Sequence, residues 1–346
     1  MNFENTKVIV VGGAGFVGSN LVKILLRDNK NISLTVIDNL LSAEKINVPD
    51  DSRVAFIEGS IADDQVLAQI DDSFDYIFHL ATFHGNQSSI HDPLRDHENN
   101  TLTTLKLMNH AKDFKNLKKL VYSAAGCSSA KKTYDSAEAT TEDAPISLVQ
   151  DSPYSISKVI GEFYAVYFHK QHNLPAVRAR FQNVYGPGEI LGAGKWRGTI
   201  HTVWRNVTPN FIYKSLKGEI LPLYNGGDAS RDFIFVEDIC AGLIACALKG
   251  RPGEAYNLAS GNEVTIKDWA ELICDYTGNS GGFEILPKRE WDTSGKRFGS
   301  TEKAEKELGF KAKTPLKEGL KRTVDWTKEN LDLIEKNIHK HDAHLA

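Results

Sequence analysis

The sequence predicts an α/β fold: a doubly wound parallel sheet joined to a smaller α/β domain. Three observations carry this. Short β-rich runs alternate with amphipathic stretches through the first half of the chain, a glycine-rich turn follows the first run, and an acidic residue ends the second. Strands that alternate with helices join through right-handed crossovers into a parallel sheet covered on both faces.

Residues 7–11 read as the first strand and 16–28 as the helix after it. Strands follow at 33–38, 54–58, 75–80 and 119–123, with a helix over 101–114. Sheet-like runs recur at 175–181, 232–236 and 255–258, and helices at 237–248, 265–277 and 315–337. The first of these helices opens on Glu237 and Asp238, which suit a helix amino end. Between 186 and 227 the periodicity weakens and Gly, Trp, Arg and Pro become frequent, as in a loop-rich binding region carried on a rigid scaffold. The expected organisation is residues 1–181 with 232–259 returning to them, a substrate-binding region of 182–231 with 260–340, and a frayed polar tail at 341–346.

Composition narrows the class. With 346 residues, 41 Lys and Arg against 45 Asp and Glu, and a net charge of −4, the chain can bury a large core but lacks the basic excess of a nucleic-acid or anionic-membrane binder. No stretch approaches the ~20 apolar residues of a membrane span, and the first residues lack a signal-peptide layout. Cys127, Cys240, Cys246 and Cys274 show no CxxC spacing. The expectation is a reduced, cytoplasmic protein with no metal site, the terminal histidines 339, 341 and 344 being solvated.

Gly12-Gly13-Ala14-Gly15-Phe16-Val17-Gly18 lies between strand and helix. Gly12, Gly15 and Gly18 let the backbone turn tightly, admit a pyrophosphate and pack the helix close, so that the phosphates meet free N–H groups at the helix start. The next strand ends in Asp38, about 20 residues on, where a carboxylate would accept from adenosine ribose hydroxyls. This is the fingerprint of a Rossmann-type dinucleotide site. Asp38 followed by Asn39, with no Arg beside them, would repel a 2′-phosphate, so NAD is expected rather than NADP.

Asp151-Ser152-Pro153-Tyr154-Ser155-Ile156-Ser157-Lys158 begins a helix, capped by Ser152 or Asp151 with Pro153 at its first position. Tyr154 and Lys158, four apart, share a face. A phenol titrates near ~10, and a neighbouring ammonium, a cationic nicotinamide and the helix start all favour its phenolate. Tyr154 could then exchange a hydroxyl proton as a hydride moves.

These motifs make the chain resemble the extended short-chain dehydrogenase/reductases that act as NAD-dependent nucleotide-sugar epimerases and dehydratases. The likeness continues in His79-Leu80-Ala81, Asn99-Asn100, Arg180 to Pro187, Arg231 to Asp238 and Tyr256-Asn257-Leu258-Ala259. It implies a cofactor site of Gly12, Gly15, Phe16, Val17, Gly18, Asp38, Asn39, Ser60, Ile61, Leu80, Ala81, Asn100, Ser123, Tyr154, Lys158, Phe181 and Val184, with Asn100 also bracing the site. It further implies that Asn183 and Arg231 hold the sugar-nucleotide diphosphate, that Tyr224 packs near the base, and that Arg289 is a second diphosphate ligand.

One slot departs from the family. A Ser/Thr run usually follows the fifth strand, its third hydroxyl meeting the reacting sugar hydroxyl, whereas this chain reads Ser123-Ala124-Ala125-Gly126-Cys127-Ser128. Ser123, Cys127 or Ser128 could substitute for the hydroxyl missing at Ala125. The segment also resembles GDP-mannose 3,5-epimerase, which implies Cys127 and Lys195 as an acid/base pair. Arg197, in the basic stretch 195–205, is expected to pair with a sugar carboxylate. The reading is therefore a UDP-sugar 4-epimerase, its substrate a UDP-uronic acid if Arg197 acts so, passing through a transient 4-keto sugar. The alternatives are a C3/C5 epimerase, a dehydratase lacking the usual Asp-Glu pair, or a silent NAD-binding sensor, against which Tyr154 and Lys158 speak. The expected partners are a nucleotide-sugar and, by analogy, a second copy of the chain, through the Leu102, Leu105, Ile160 and Tyr164 face.

Overall fold

A computed structural model describes residues 2–130, 133–293 and 295–345. Seven strands form one parallel sheet: β1 (Lys7–Val11), β2 (Ser33–Asp38), β3 (Val54–Glu58), β4 (Tyr76–His79), β5 (Lys119–Ala125), β6 (Ala176–Phe181) and β7 (Ala255–Leu258). Their spatial order is β7-β6-β5-β4-β1-β2-β3. The order reverses between β1 and β4, which opens a crevice at the carboxyl ends of both strands.

The strands read as unbroken apolar runs because both faces are covered. Val8 and Val10 pack against Leu21 and Leu25 of helix α1 (Phe16–Asp28) and Ile239 and Leu243 of a later helix, Val236–Lys249. Ile9 and Val11 face the other way, onto Leu107 and Met108 of helix α2 (Thr103–Ala111) and Phe168 of helix α3 (Pro153–His172). Helix α3 starts where Ser152 Oγ accepts from the Ser155 N–H at 3.2 Å and Pro153 takes the first helical position.

The remaining chain builds small pairings beyond the crevice. Leu221–Tyr224 runs parallel to Phe283–Leu286, and Ser230–Arg231 pairs antiparallel with Val264–Thr265. The expected strand at 232–236 is shorter, Phe233–Phe235, and does not join the large sheet. It pairs with Asn183–Tyr185, because Phe233 stacks on the buried Trp269 with ring centroids 4.5 Å apart.

Two expectations need correcting at the carboxyl end. The helix expected over 315–337 is two, Leu316–Glu329 and Leu331–His339, broken at Asn330. Residues 341–345 are not a frayed tail: Asp342–Leu345 is helical, and the buried His341 ring donates to the Gly192 carbonyl at 2.8 Å. Residue 346 lies outside the described residues. Ile334 and Ile338 pack on Ile190, Leu191 and Val203, which ties this end to the loop after β6. Among the described residues no helix is long and apolar enough to cross a membrane.

Candidate active site

The crevice deepens into a cavity of about 780 Å³. Gly12, Gly15, Phe16, Val17 and Gly18 line it, together with Asp38, Asn39, Ser60, Ile61, Leu80 and Ala81. Gly12 has φ +83°, and a Cβ there would lie 2.5 Å from the Ala81 backbone nitrogen. A Cβ on Gly18 would lie 2.2 Å from the Gly12 carbonyl oxygen, so α1 can start this close to the turn only with glycine. The first-turn N–H groups of α1 have no acceptor within the helix and suit a phosphate.

Asp38 is held by the turn it follows: its carboxylate accepts from the Ala14 N–H at 3.0 Å and the Leu40 N–H at 2.9 Å. Burial nonetheless pushes its pKa up. A carboxylate fixed at the glycine turn and backbone tightened where a Cβ would clash are what a dinucleotide requires, so these residues fit NAD.

Ser123, Cys127, Tyr154, Lys158, Phe181 and Val184 stand in the same cavity wall. Lys158 Nζ lies 5.9 Å from the Tyr154 ring centroid and donates to the Ser123 carbonyl at 2.9 Å. Burial lowers Lys158 to about 8, against the raising effect of Asp96 and Cys127. Burial, and then the neighbouring Cys127, hold the Tyr154 phenol well above its ordinary value. A second positive charge from the ligand side is needed to bring it down.

Asn183, Tyr224, Arg231 and Arg289 also line the cavity. Arg289 stacks on Tyr224, its guanidinium carbon 3.7 Å from the ring centroid. Arg231 donates to the carbonyls of Ser230 and Gly295, each at 2.7 Å, and burial lowers it to about 9.

Three expected residues do not line the cavity. Asn100 stands behind its wall, accepting from the Phe83 N–H at 2.6 Å and donating to Asp96 at 2.7 Å. Lys195 is exposed, its backbone N–H bound to the Leu41 carbonyl at 3.0 Å, so it is not brought to Cys127. Arg197 is buried, 5.5 Å from the Phe83 ring centroid, and donates to the His84 carbonyl at 2.8 Å.

Sequence reasoning missed His84, Ser88, Gln182 and Glu189 on the cavity wall, where Arg205 of the basic stretch 195–205 also stands. His84 and Ser88 follow the carboxyl end of β4, a position that could have flagged them. Glu189 sits in the stretch without periodicity, which gives no signal.

The profile of the NAD dependent epimerase/dehydratase family matches residues 8–259. A dTDP-glucose 4,6-dehydratase of Streptomyces antibioticus is 30% identical over 331 residues, an alignment that spans 93% of this chain and 92% of that protein. The Bordetella bronchiseptica enzyme WbmF, solved in complex with NAD+ and UDP, is 61% identical with a TM-score of 0.88, covering 99% of this chain and 98% of that one. A UDP-glucose 4-epimerase of Thermotoga maritima, solved with UDP-glucose, is 28% identical with a TM-score of 0.83, covering 94% of this chain and 99% of that one.

Proposed function

The chain belongs to the NAD dependent epimerase/dehydratase family, and from that premise we propose that it is a UDP-sugar 4-epimerase working through a transient 4-keto sugar. The observation that carries the reading is the Tyr154 and Lys158 pair in the wall of a cavity whose Ala125-Gly126 slot offers no carboxylate for dehydration. A relative solved with UDP and another solved with UDP-glucose support the nucleotide.

NAD, when bound, supplies the hydride acceptor and donor for C4, so no reduced cofactor accumulates. The chain's own residues handle the proton and the position. Tyr154 takes the C4 hydroxyl proton and later returns it, and Lys158 favours the phenolate through its charge. Asn183, Arg231 and Arg289 hold the diphosphate while the keto sugar turns its other face. Residues 1–181 with 232–259 serve as the cofactor half in this reading, and the rest as the sugar half.

The uronic acid expected from Arg197 loses its support, because that side chain does not line the cavity and donates to the His84 carbonyl instead. Calorimetry decides the sugar: comparable affinities for UDP-glucuronate and UDP-glucose are expected, and UDP-glucuronate binding about tenfold tighter would restore the carboxylate.

The 3,5-epimerase route is weakened because Cys127 lacks Lys195 as its second acid/base group. The whole reading is tested by product NMR on a panel of UDP-, GDP- and dTDP-sugars in deuterated water. C4 inversion without solvent label is expected, and label at C3 or C5 would restore the Cys127 route. Turnover by Tyr154→Phe at the wild-type rate would sink the mechanism.

A further inference from the structure

The slot at Ala125 lacks the hydroxyl that would meet the reacting sugar, and what occupies the neighbouring space is a side chain from the next strand. Ala125 and Phe181 are register partners of β5 and β6, so the residues after them, Gly126 and Gln182, lie side by side. A Cβ on Gly126 would come within 2.2 Å of Gln182 Nε2, and a Cβ on Gly299 within 2.9 Å of the same atom. The amide therefore sits in a space that two glycines keep open. Gln182 lines the same cavity as Ala125, Cys127 and Tyr154. Among the described residues nothing hydrogen-bonds its amide, although a primary amide carries two donors and an acceptor.

We propose that Gln182 is the residue that grips the reacting sugar hydroxyl, its amide N–H standing in for the hydroxyl missing at Ala125. The assignment rests on the 4-epimerase reading and deepens it. An amide neither gains nor loses a proton near neutrality, so Tyr154 alone carries the C4 proton. The contribution of Gln182 is a fixed donor aimed at the C4 oxygen, strongest while that oxygen carries developing negative charge. Gly126 belongs to the same device, since a side chain there would push the amide out.

The test is Gln182→Met, which keeps the length and packing of the side chain between the glycines and removes both donors, assayed alone and with Ala125→Ser. The substrates are UDP-glucose, UDP-N-acetylglucosamine and UDP-glucuronate, with bound NAD released by denaturation and counted. The expected result is a kcat lower by about 10²-fold with KM and NAD content unchanged, and recovery of at least about tenfold when Ala125→Ser returns a hydroxyl to the slot. A Gln182→Met enzyme with wild-type kcat overturns the proposal. So does a loss that Ala125→Ser leaves untouched, because packing alone would then explain it. Wild-type protein inactive on every sugar of the panel removes the 4-epimerase reading, and this assignment with it.

Discussion

Lys158 Nζ donates to the carbonyl oxygen of Ser123 at 2.9 Å, so strand backbone and not a carboxylate holds the buried ammonium beside Tyr154. A lysine lowered to about 8 loses its charge as pH rises through that value. Its help to the phenolate is present below this pH and absent above it. Turnover of the NAD-loaded enzyme should therefore fall on the alkaline side with a midpoint near 8, and Lys158→Met should cost about 10²- to 10⁴-fold in kcat. A rate that stays flat from about pH 7 to 9.5, well past that midpoint, contradicts this placement of the charge.

Asp96 sets where that limb falls. It is a buried carboxyl behind the Tyr154 face, accepting from Asn100 at 2.7 Å, and Asn100 also reaches Ser157 Oγ at 3.3 Å. Burial pushes it up to about 6, while Ser157, Asn100, Lys158 and His97 hold it down. Its negative charge raises Lys158, and it raises Tyr154 and Tyr122. Asp96→Asn keeps the shape and removes the charge, so both Lys158 and Tyr154 should titrate lower. The pH-rate profile should move bodily toward acid, its alkaline midpoint by about one unit. An unmoved midpoint would mean that Asp96 only props up Asn100.

The sheet and the cofactor end were legible because their causes are local. Val8 to Val11, the glycine turn and Asp38 each act within one strand-turn-helix unit, where apolar runs and forced backbone geometry show in the residues themselves. Lys195 and Arg197 were misplaced because contacts far along the chain decide where their loop lies. The Gly194 N–H binds Glu44, and the His341 ring binds the Gly192 carbonyl. Gln182 lies inside the motif Arg180 to Pro187, yet its meaning depends on Gly126 and Gly299 leaving room, which no spacing in the sequence records.

The apolar face expected for self-association is placed somewhat differently from the residues named for it. Leu105 and Tyr164 are packed on the core, whereas Leu102, Ile156, Phe163 and Tyr167 are exposed along α3 and its neighbour. Phe163 is 58% exposed, which a lone surface aromatic tolerates but a contiguous stripe makes costly. If two copies pair through this stripe, Phe163→Glu should convert a dimer to a monomer in sedimentation velocity while leaving the melting temperature of the monomer fold nearly unchanged. A wild-type chain that sediments as a monomer rules the contact out.

The carboxyl terminus should control how firmly the cofactor is kept. Glu189, Ile190, Ala193, His201, Trp204 and Arg205 come to the cavity wall from the loop after β6. That loop is held from behind by the last helices: Ile334 and Ile338 pack on Ile190 and Leu191, and Trp196 stacks on His344 with ring centroids 4.6 Å apart. Arg205 adds a tie in front, donating to the Ala193 carbonyl at 2.7 Å and the Ser42 carbonyl at 3.2 Å. Neither core against the large sheet includes residues 341–345, so removing them should leave the sheet folded and loosen only the loop. Losing the His341 bond and the His344 stack amounts to about 1–2 kcal/mol, so NAD should leave the truncated protein about tenfold faster or more. Stopped-flow displacement of bound NADH, followed by its fluorescence, measures the rate directly. An unchanged off-rate would mean that Ile334 and Ile338 alone secure the loop.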